Sequence, residues 1–284
     1  MPILTQLNLY PIKSCAGISL RKATATAVGL MSEGIRDREW MVVDSEGNFL
    51  TQREYPAMAR IIPRLKTDSL ELQAPGMARL EIPLSLPDPD HAPVLNVKVW
   101  DDTLIAYDCD DPTAVWFSKA IGSPCRLARF HPHAKRVANR KWTGGAEVQT
   151  LFADGFPMLI ISEASLEDLN QKLLAEARAP LPMNRFRPNL VISGVDAFEE
   201  DYAALIQLGD AQLQPVKPCP RCPIPSIDQA TGVIGPDPLD ILQRYRANPT
   251  IEGGIAFGMN AILLGSEDKM LEVGQEARIE LAFS

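Results

Sequence analysis

Residues 215–228 read Pro-Val-Lys-Pro-Cys-Pro-Arg-Cys-Pro-Ile-Pro-Ser-Ile-Asp, setting Cys219 and Cys222 three residues apart in a stretch with five prolines. Each proline fixes its own φ and pushes the preceding residue toward extended backbone. That predicts a stiff loop through which neither a helix nor a central strand runs. The flanking cations narrow the chemistry further. A guanidinium such as Arg221 favours the thiolate at either cysteine. The thiolate is the form that ligates soft metals or attacks as a nucleophile.

The chain has 284 residues and a formal net charge of −8. The length suits one large domain or two moderate ones with a well-buried core. The acidic balance leaves no basic excess for phosphate contacts, which argues against nucleic acid and against an anionic membrane surface. The opening Met1-Pro-Ile-Leu-Thr-Gln-Leu has no basic flank and no long apolar run, so no secretory signal is expected. No window approaches the apolar length of a membrane span. Five cysteines are an odd number in a long chain, which disfavours a disulfide framework and predicts a reducing, cytoplasmic setting.

Short alternating runs dominate the first third. Ile3, Thr5, Leu7 and Leu9 are placed on one side of an opening strand. Trp40 to Asp44 and Phe49 to Gln52 flank Ser45-Glu-Gly-Asn48, a hairpin connection. Further strands are expected at Leu70 to Gln73, Val97 to Trp100 and Leu104 to Tyr107. Asp111-Pro112 opens a helix through Ile121, with Asp111 as its cap. The polar, patternless stretch from His131 to Ala146 reads as a long loop or link. Beyond it, strands are expected at Pro157 to Ile161, Leu190 to Ser193, Ala211 to Leu213, Ala261 to Leu264 and Ala277 to Phe283. Helices are expected at about 163–177, capped by Ser162, and at Pro238 to Arg246. Strands and helices do not alternate regularly, so the pattern predicts a mainly β protein with some helix (α+β) rather than a doubly wound parallel sheet. Two strand-rich units are expected, 1–120 and 121–284, with the opening strand able to pack against the second.

From the residues alone, several chemistries remain open for the cysteine pair. Structural zinc wants four ligands, and His131-Pro-His133 is the other close pair, at a spacing unlike a common finger. A thioredoxin-like pair opens a helix, whereas Pro223 and Pro225 follow here. An iron–sulfur cluster needs four thiolates, and Cys15, Cys109 and Cys125 are scattered. A single cysteine ligating the metal of an anionic cofactor suits the thiolate, the rigid loop and the adjacent cation. Both thiols being inert is the remaining alternative.

The segment Lys217-Pro-Cys-Pro-Arg-Cys-Pro-Ile-Pro-Ser-Ile-Asp-Gln-Ala-Thr-Gly232 resembles the signature of MOSC-domain proteins. Nearly the whole chain is similar to the amidoxime-reducing component and its bacterial relatives. Leu9-Tyr-Pro-Ile-Lys-Ser-Cys-Ala-Gly17 and Gly34-Ile-Arg-Asp-Arg-Glu-Trp40 match the family's N-terminal β-barrel-like domain. Ile161-Ser-Glu-Ala-Ser-Leu166, Phe186-Arg-Pro-Asn189 and Phe257-Gly-Met-Asn260 follow in the family's order.

The resemblance implies a molybdenum–pterin cofactor, with Cys222 as the protein's metal ligand and Cys219 in a structural place. It nominates Lys13, Ser14, Arg38, Asp154, Gly155, Arg187, Pro220, Arg221 and Asn260 for the cofactor; Asn260 stands where the animal proteins carry an aromatic hydroxyl. Fixed guanidinium and ammonium donors suit a phosphate and a polar pterin. Asp228 is a candidate for proton delivery, or else simply closes the turn before Gly232. The implied activity is reduction of N-hydroxylated or N-oxygenated small molecules. Two electrons and two protons release the oxygen as water, and the electrons come from a separate ferredoxin, cytochrome or flavoprotein. No ferredoxin-like cluster, targeting segment or membrane anchor is read in the sequence, so a cytosolic bacterial member is expected. MOSC domains also occur in cofactor sulfurases, so the alternative is a cofactor carrier or sulfur-transfer module without its own turnover. A zinc-stapled binding module is the third reading.

Overall fold

The computed structural model describes residues 1–86, 88 and 90–282, and every count refers to these. A nine-stranded sheet runs in the order Ile18–Leu20, Ile3–Leu9, Leu190–Ser193, Met158–Ser162, Gly254–Leu263, Ala211–Pro220, Ala203–Leu208 and Ala277–Leu281, with Ala247–Asn248 paired to Gly254–Leu263. Val94–Val99, Asp102–Asp108, Arg126–Phe130 and Trp40–Val43 form a second sheet. Two smaller sheets carry Lys22–Thr26 with its neighbours and Ser69–Gln73 with its neighbours. One pair of neighbouring strands is parallel, Met158–Ser162 with Leu190–Ser193, and the helix Glu163–Ala175 lies between them in the chain. The protein is therefore mainly β with a few helices.

Two pairings tie the ends of the chain together. Ile3–Leu9 lies antiparallel to Leu190–Ser193, and Lys269–Glu272 lies antiparallel to Lys22–Thr26. The opening strand does not alternate simply. A register shift between Leu4 and Gln6 turns the pattern, so Leu4, Leu7 and Leu9 are fully buried while Ile3 and Thr5 are only partly covered. An extra residue in one strand reverses which side chains face inward.

The proline-rich segment contains the largest departure from expectation. The strand from Ala211 continues to Pro220, through Pro215 and Pro218. Two features reconcile this with proline's missing N–H. Beyond Leu213 the segment pairs on one side only, with Gly254–Leu263, and the register shifts at Pro215/Lys217 and at Pro218/Pro220. Prolines thus occupy an open edge with bulges, where a strand accepts them. On the partner strand, Gly258 has φ +80°, and a Cβ there would come within 2.5 Å of the Ile161 side chain. No other residue type fits that approach.

Smaller differences follow from local bonding. The helix Asp111–Ile121 is capped by Asp110, whose carboxylate accepts from Thr113 N at 2.8 Å. Asp111 instead pairs with Arg126. After Trp40–Val43 the chain turns on Asp44, which accepts from the Glu46 and Asn48 amides, and Phe49 makes an isolated bridge to Val43 rather than opening a strand. Ser162 caps Glu163–Ala175 as expected. The last strand is Ala277–Leu281; the Phe283 end of the expected range lies outside the described residues.

Candidate functional site

One cavity of about 440 Å³ opens where the N-terminal turns meet the proline-rich strand. Its lining contains Lys13, Ser14, Arg38, Asp154, Gly155, Arg187, Pro220, Arg221, Cys222 and Asn260, together with Cys219. Asp228 is not among the lining residues. Its carboxylate accepts from Ala230 N, Thr231 N and Thr231 Oγ1 and pairs with Arg185 at 2.8 Å, so its hydrogen bonds go to closing the turn.

Backbone hydrogen bonds assemble the site from distant segments. Lys13 N donates to Trp40 O, Arg38 N to Tyr10 O and Phe152 N to Arg38 O, at 2.7–3.0 Å. Asn189 N donates to Leu159 O at 2.8 Å. The Asn189 side chain then binds Asn8 O, Leu159 N, Asp37 and Arg38. Asp37, 1% exposed, accepts from Tyr10 N, from Asn189 Nδ2 and from Arg38 Nη1. Burial pushes the Asp37 carboxyl upward, opposed by the Arg38 charge. Removing either partner would leave the other charge buried and uncompensated.

Ser14, Arg38, Trp100 and Arg187 all have φ between 50° and 64°, and all line the cavity. Side chains avoid this region, so a cluster of such residues at one cavity marks strain that the surroundings hold in place. The Tyr10 ring is part of that restraint. The Arg38 and Arg187 guanidiniums lie on it, each 4.4 Å from its centroid, and its hydroxyl donates to Pro188 O at 3.2 Å. Aromatic rings attract cations, so one buried ring anchors two like charges.

Six cationic side chains and one carboxylate line the cavity of a chain whose net charge is −8. Arg187 is buried, and its Nη2 has no hydrogen-bond partner. Burial depresses its proton affinity, with Arg38 adding to the strain. A buried guanidinium stays charged and needs an acceptor. Arg221 Nε is likewise buried without a partner. At Gly155 an added Cβ would meet nothing within 4 Å, which leaves open space on that wall. Unpartnered donors, excess positive charge and an open wall fit a polyanionic ligand such as a phosphorylated pterin. Cys222, partly exposed in the same lining, could supply a soft sulfur ligand.

Arg221 acts on one cysteine: its Nη1 donates toward Cys219 Sγ at 3.3 Å, while Nη2 binds Phe186 O at 2.9 Å. Lys13 Nζ donates to Phe152 O at 3.0 Å and to Asp154 Oδ1 at 2.5 Å. Burial lowers the Lys13 pKa, and Asp154 works against that. Asp154 is itself exposed, and the buried Lys13 ammonium beside it holds its carboxyl well below the usual range. No group of three or more His, Cys, Asp or Glu side chains suited to a metal occurs among the described residues, so the zinc-staple arrangement is not assembled.

Sequence reasoning missed several of these residues. Arg136, within the patternless stretch, is 5% exposed and straps the approach to the site. It donates to the carbonyls of Leu151, Ala153 and Asp154 and pairs with Asp102 at 2.7 Å. Gln52 and Gln229 exchange amide hydrogen bonds at 3.1 and 2.9 Å, and Gln52 also binds Ser14 O. Tyr10, Asp37, Asn189 and Gln229 lie inside the motifs already noted, which was the available signal for them; Arg136 and Gln52 had none.

Two family models match: MOSC N-terminal beta barrel domain over residues 1–124 and MOSC domain over residues 147–278. Mitochondrial amidoxime-reducing component 1 of Mus musculus is 36% identical over 247 residues, covering 86% of this chain and 71% of that protein. The Homo sapiens component 1 is also 36% identical, covering 86% and 72%. Mitochondrial amidoxime reducing component 2 of Bos taurus is 34% identical, covering 86% and 72%. A solution structure from Bordetella bronchiseptica is 28% identical over 44% of this chain and 88% of that one, with a TM-score of 0.36. The two family matches define a MOSC-domain protein with a MOSC N-terminal domain. Within that class, the chain belongs to the amidoxime-reducing component family.

Proposed function

We propose that the cavity binds a molybdenum–pterin cofactor and that the protein reduces N-hydroxylated or N-oxygenated compounds, with electrons from a separate redox protein. Arg187 carries this reading: it lines the cavity, it is buried, and its Nη2 has no hydrogen-bond partner, so its fixed guanidinium calls for an anionic acceptor. Arg38, Arg187 and Arg221 would hold the anionic part of the cofactor, with Lys13 and the Ser14 turn beside them. Cys222 would ligate the metal. Cys219, drawn to Arg221, would brace the loop. When bound, the cofactor supplies the redox chemistry, two-electron removal of oxygen from an N–O bond.

The chain's own share is positioning. Tyr10 anchors two guanidiniums, Asp37 and Asn189 lock Arg38, and Arg136 sets the course of residues 151–154. Preorganised donors need no rearrangement when the ligand arrives. No helix among the described residues is long and apolar enough to cross a membrane.

The test is turnover. Protein shown to contain molybdenum and pterin, supplied with a chemically reduced viologen, is expected to convert benzamidoxime to benzamidine. Loaded protein that fails to reduce any N-hydroxylated compound would refute the reductase reading and leave the carrier one.

A further inference from the structure

The hairpin between Val94–Val99 and Asp102–Asp108 closes through two residues, Trp100 and Asp101. At Trp100 φ is +55°. Two-residue hairpins place Gly, Asn or Asp where φ is positive, because a larger side chain is strained there. Tryptophan breaks that rule, and burial does not explain it, since Trp100 is 50% exposed. A costly local choice at a position that stays half exposed is the pattern expected of a functional position.

The indole is held in one orientation at the cavity. Its Nε1 donates to Asp154 Oδ1 at 3.3 Å, and the Phe49 ring meets it edge to face at 5.0 Å. The Arg53 guanidinium lies 5.2 Å from its centroid and is itself tied to Thr51 Oγ1 at 3.2 Å. Thr51, Arg53 and Trp100 line the same cavity as Cys222. This aromatic face, with one guanidinium beside it, contrasts with the cluster of cations on Arg38, Arg187 and Arg221, which suits an anion.

We propose that Trp100, braced by Phe49 and Arg53, is a specificity-determining subsite that receives the planar, aromatic portion of an N-hydroxylated substrate. The proposal rests on the reductase reading of the same cavity. A ring stacked on the indole gains affinity in proportion to its π surface, whereas a substrate bearing only a methyl group gains none.

The test compares benzamidoxime with acetamidoxime as substrates for cofactor-loaded wild type, Trp100→Gly and Trp100→Phe. Glycine suits the turn, so Trp100→Gly should melt at or above the wild-type temperature and retain its molybdenum and pterin. Its KM for benzamidoxime should rise roughly 2- to 10-fold, with kcat and the acetamidoxime KM unchanged. Trp100→Phe should restore most of the loss. Equal KM changes for both substrates, or none, would overturn the proposal. Loss of pterin from Trp100→Gly would overturn it too, assigning the indole to the cofactor. Should wild type turn over neither substrate while loaded, the reductase reading itself fails, a result separate from these.

Discussion

Gly17→Ala adds one carbon against a ring that has nowhere to go. A Cβ at Gly17 would lie 2.5 Å from Tyr10 Cε1, 2.9 Å from Cδ1 and 3.1 Å from Cζ. Tyr10 is 3% exposed, the Arg38 and Arg187 guanidiniums lie against its ring, and its hydroxyl is tied to Pro188 O. Gly17 does not have a positive φ, so alanine fits the backbone there and would on its own stabilise by about 0.4–1 kcal/mol through the unfolded chain. Overpacking costs about 1–3 kcal/mol. The net is a loss of about 1–2 kcal/mol, which in a chain of this size lowers Tm by roughly 2–6 °C. Urea unfolding of Gly17→Ala, Tyr10→Leu and the double variant checks the cause. The double variant should recover most of the Gly17→Ala loss, because the narrower side chain removes the clash, and the two changes should couple by about 1 kcal/mol. The guanidiniums shift with the ring, so Gly17→Ala should also retain less cofactor. A Gly17→Ala protein as stable as wild type, or additive effects in the double variant, would refute the wedge.

Two further outcomes follow from the same geometry. Arg136→Ala strips three carbonyl acceptors and Asp102 of their donor and should destabilise by about 3 kcal/mol. Faster hydrogen exchange around residues 150–155 and weaker cofactor retention would accompany it; unchanged exchange would remove Arg136 from its strapping role. Burial pushes the Cys15 thiol up to about 12. At pH 8 iodoacetamide should modify Cys219 and Cys222 in cofactor-free protein and spare Cys15, which is fully buried. That thiol stays protonated in the native state while the unfolded one ionises from about pH 8.5 upward, so its contribution to stability is complete below that pH and is lost as pH rises toward 12. Labelling of Cys15 at the rate of Cys219 and Cys222, or flat stability over that range, would contradict its burial.

Much of the fold was legible because its strands alternate or carry turn signals at their ends. Ser69–Gln73 and Met158–Ser162 were readable as elements, as was the helix capped by Ser162. What was hidden depends on pairing. Prolines stop a strand only where their nitrogen faces a partner, and no sequence pattern announces that the strand past Leu213 has one open side. The bulge near Leu4 is likewise a property of the partner strand. At the site, Lys13, Arg38, Arg187 and Cys222 were nominated through resemblance to a family. They meet in one cavity because strands from both ends of the chain share a sheet. Arg136 was invisible because a strap to backbone carbonyls needs no particular neighbours in sequence. Asp228 looked chemical but spends its oxygens on a turn and on Arg185.

The most direct test is the molybdenum and pterin content of protein purified from a host that makes the cofactor, compared among wild type, Cys222→Ser and Cys219→Ser. Near-stoichiometric molybdenum and phosphorylated pterin are predicted for wild type, with metal ligation altered or lost in Cys222→Ser and retained in Cys219→Ser. Wild-type protein without molybdenum, or with zinc in its place, would contradict the account.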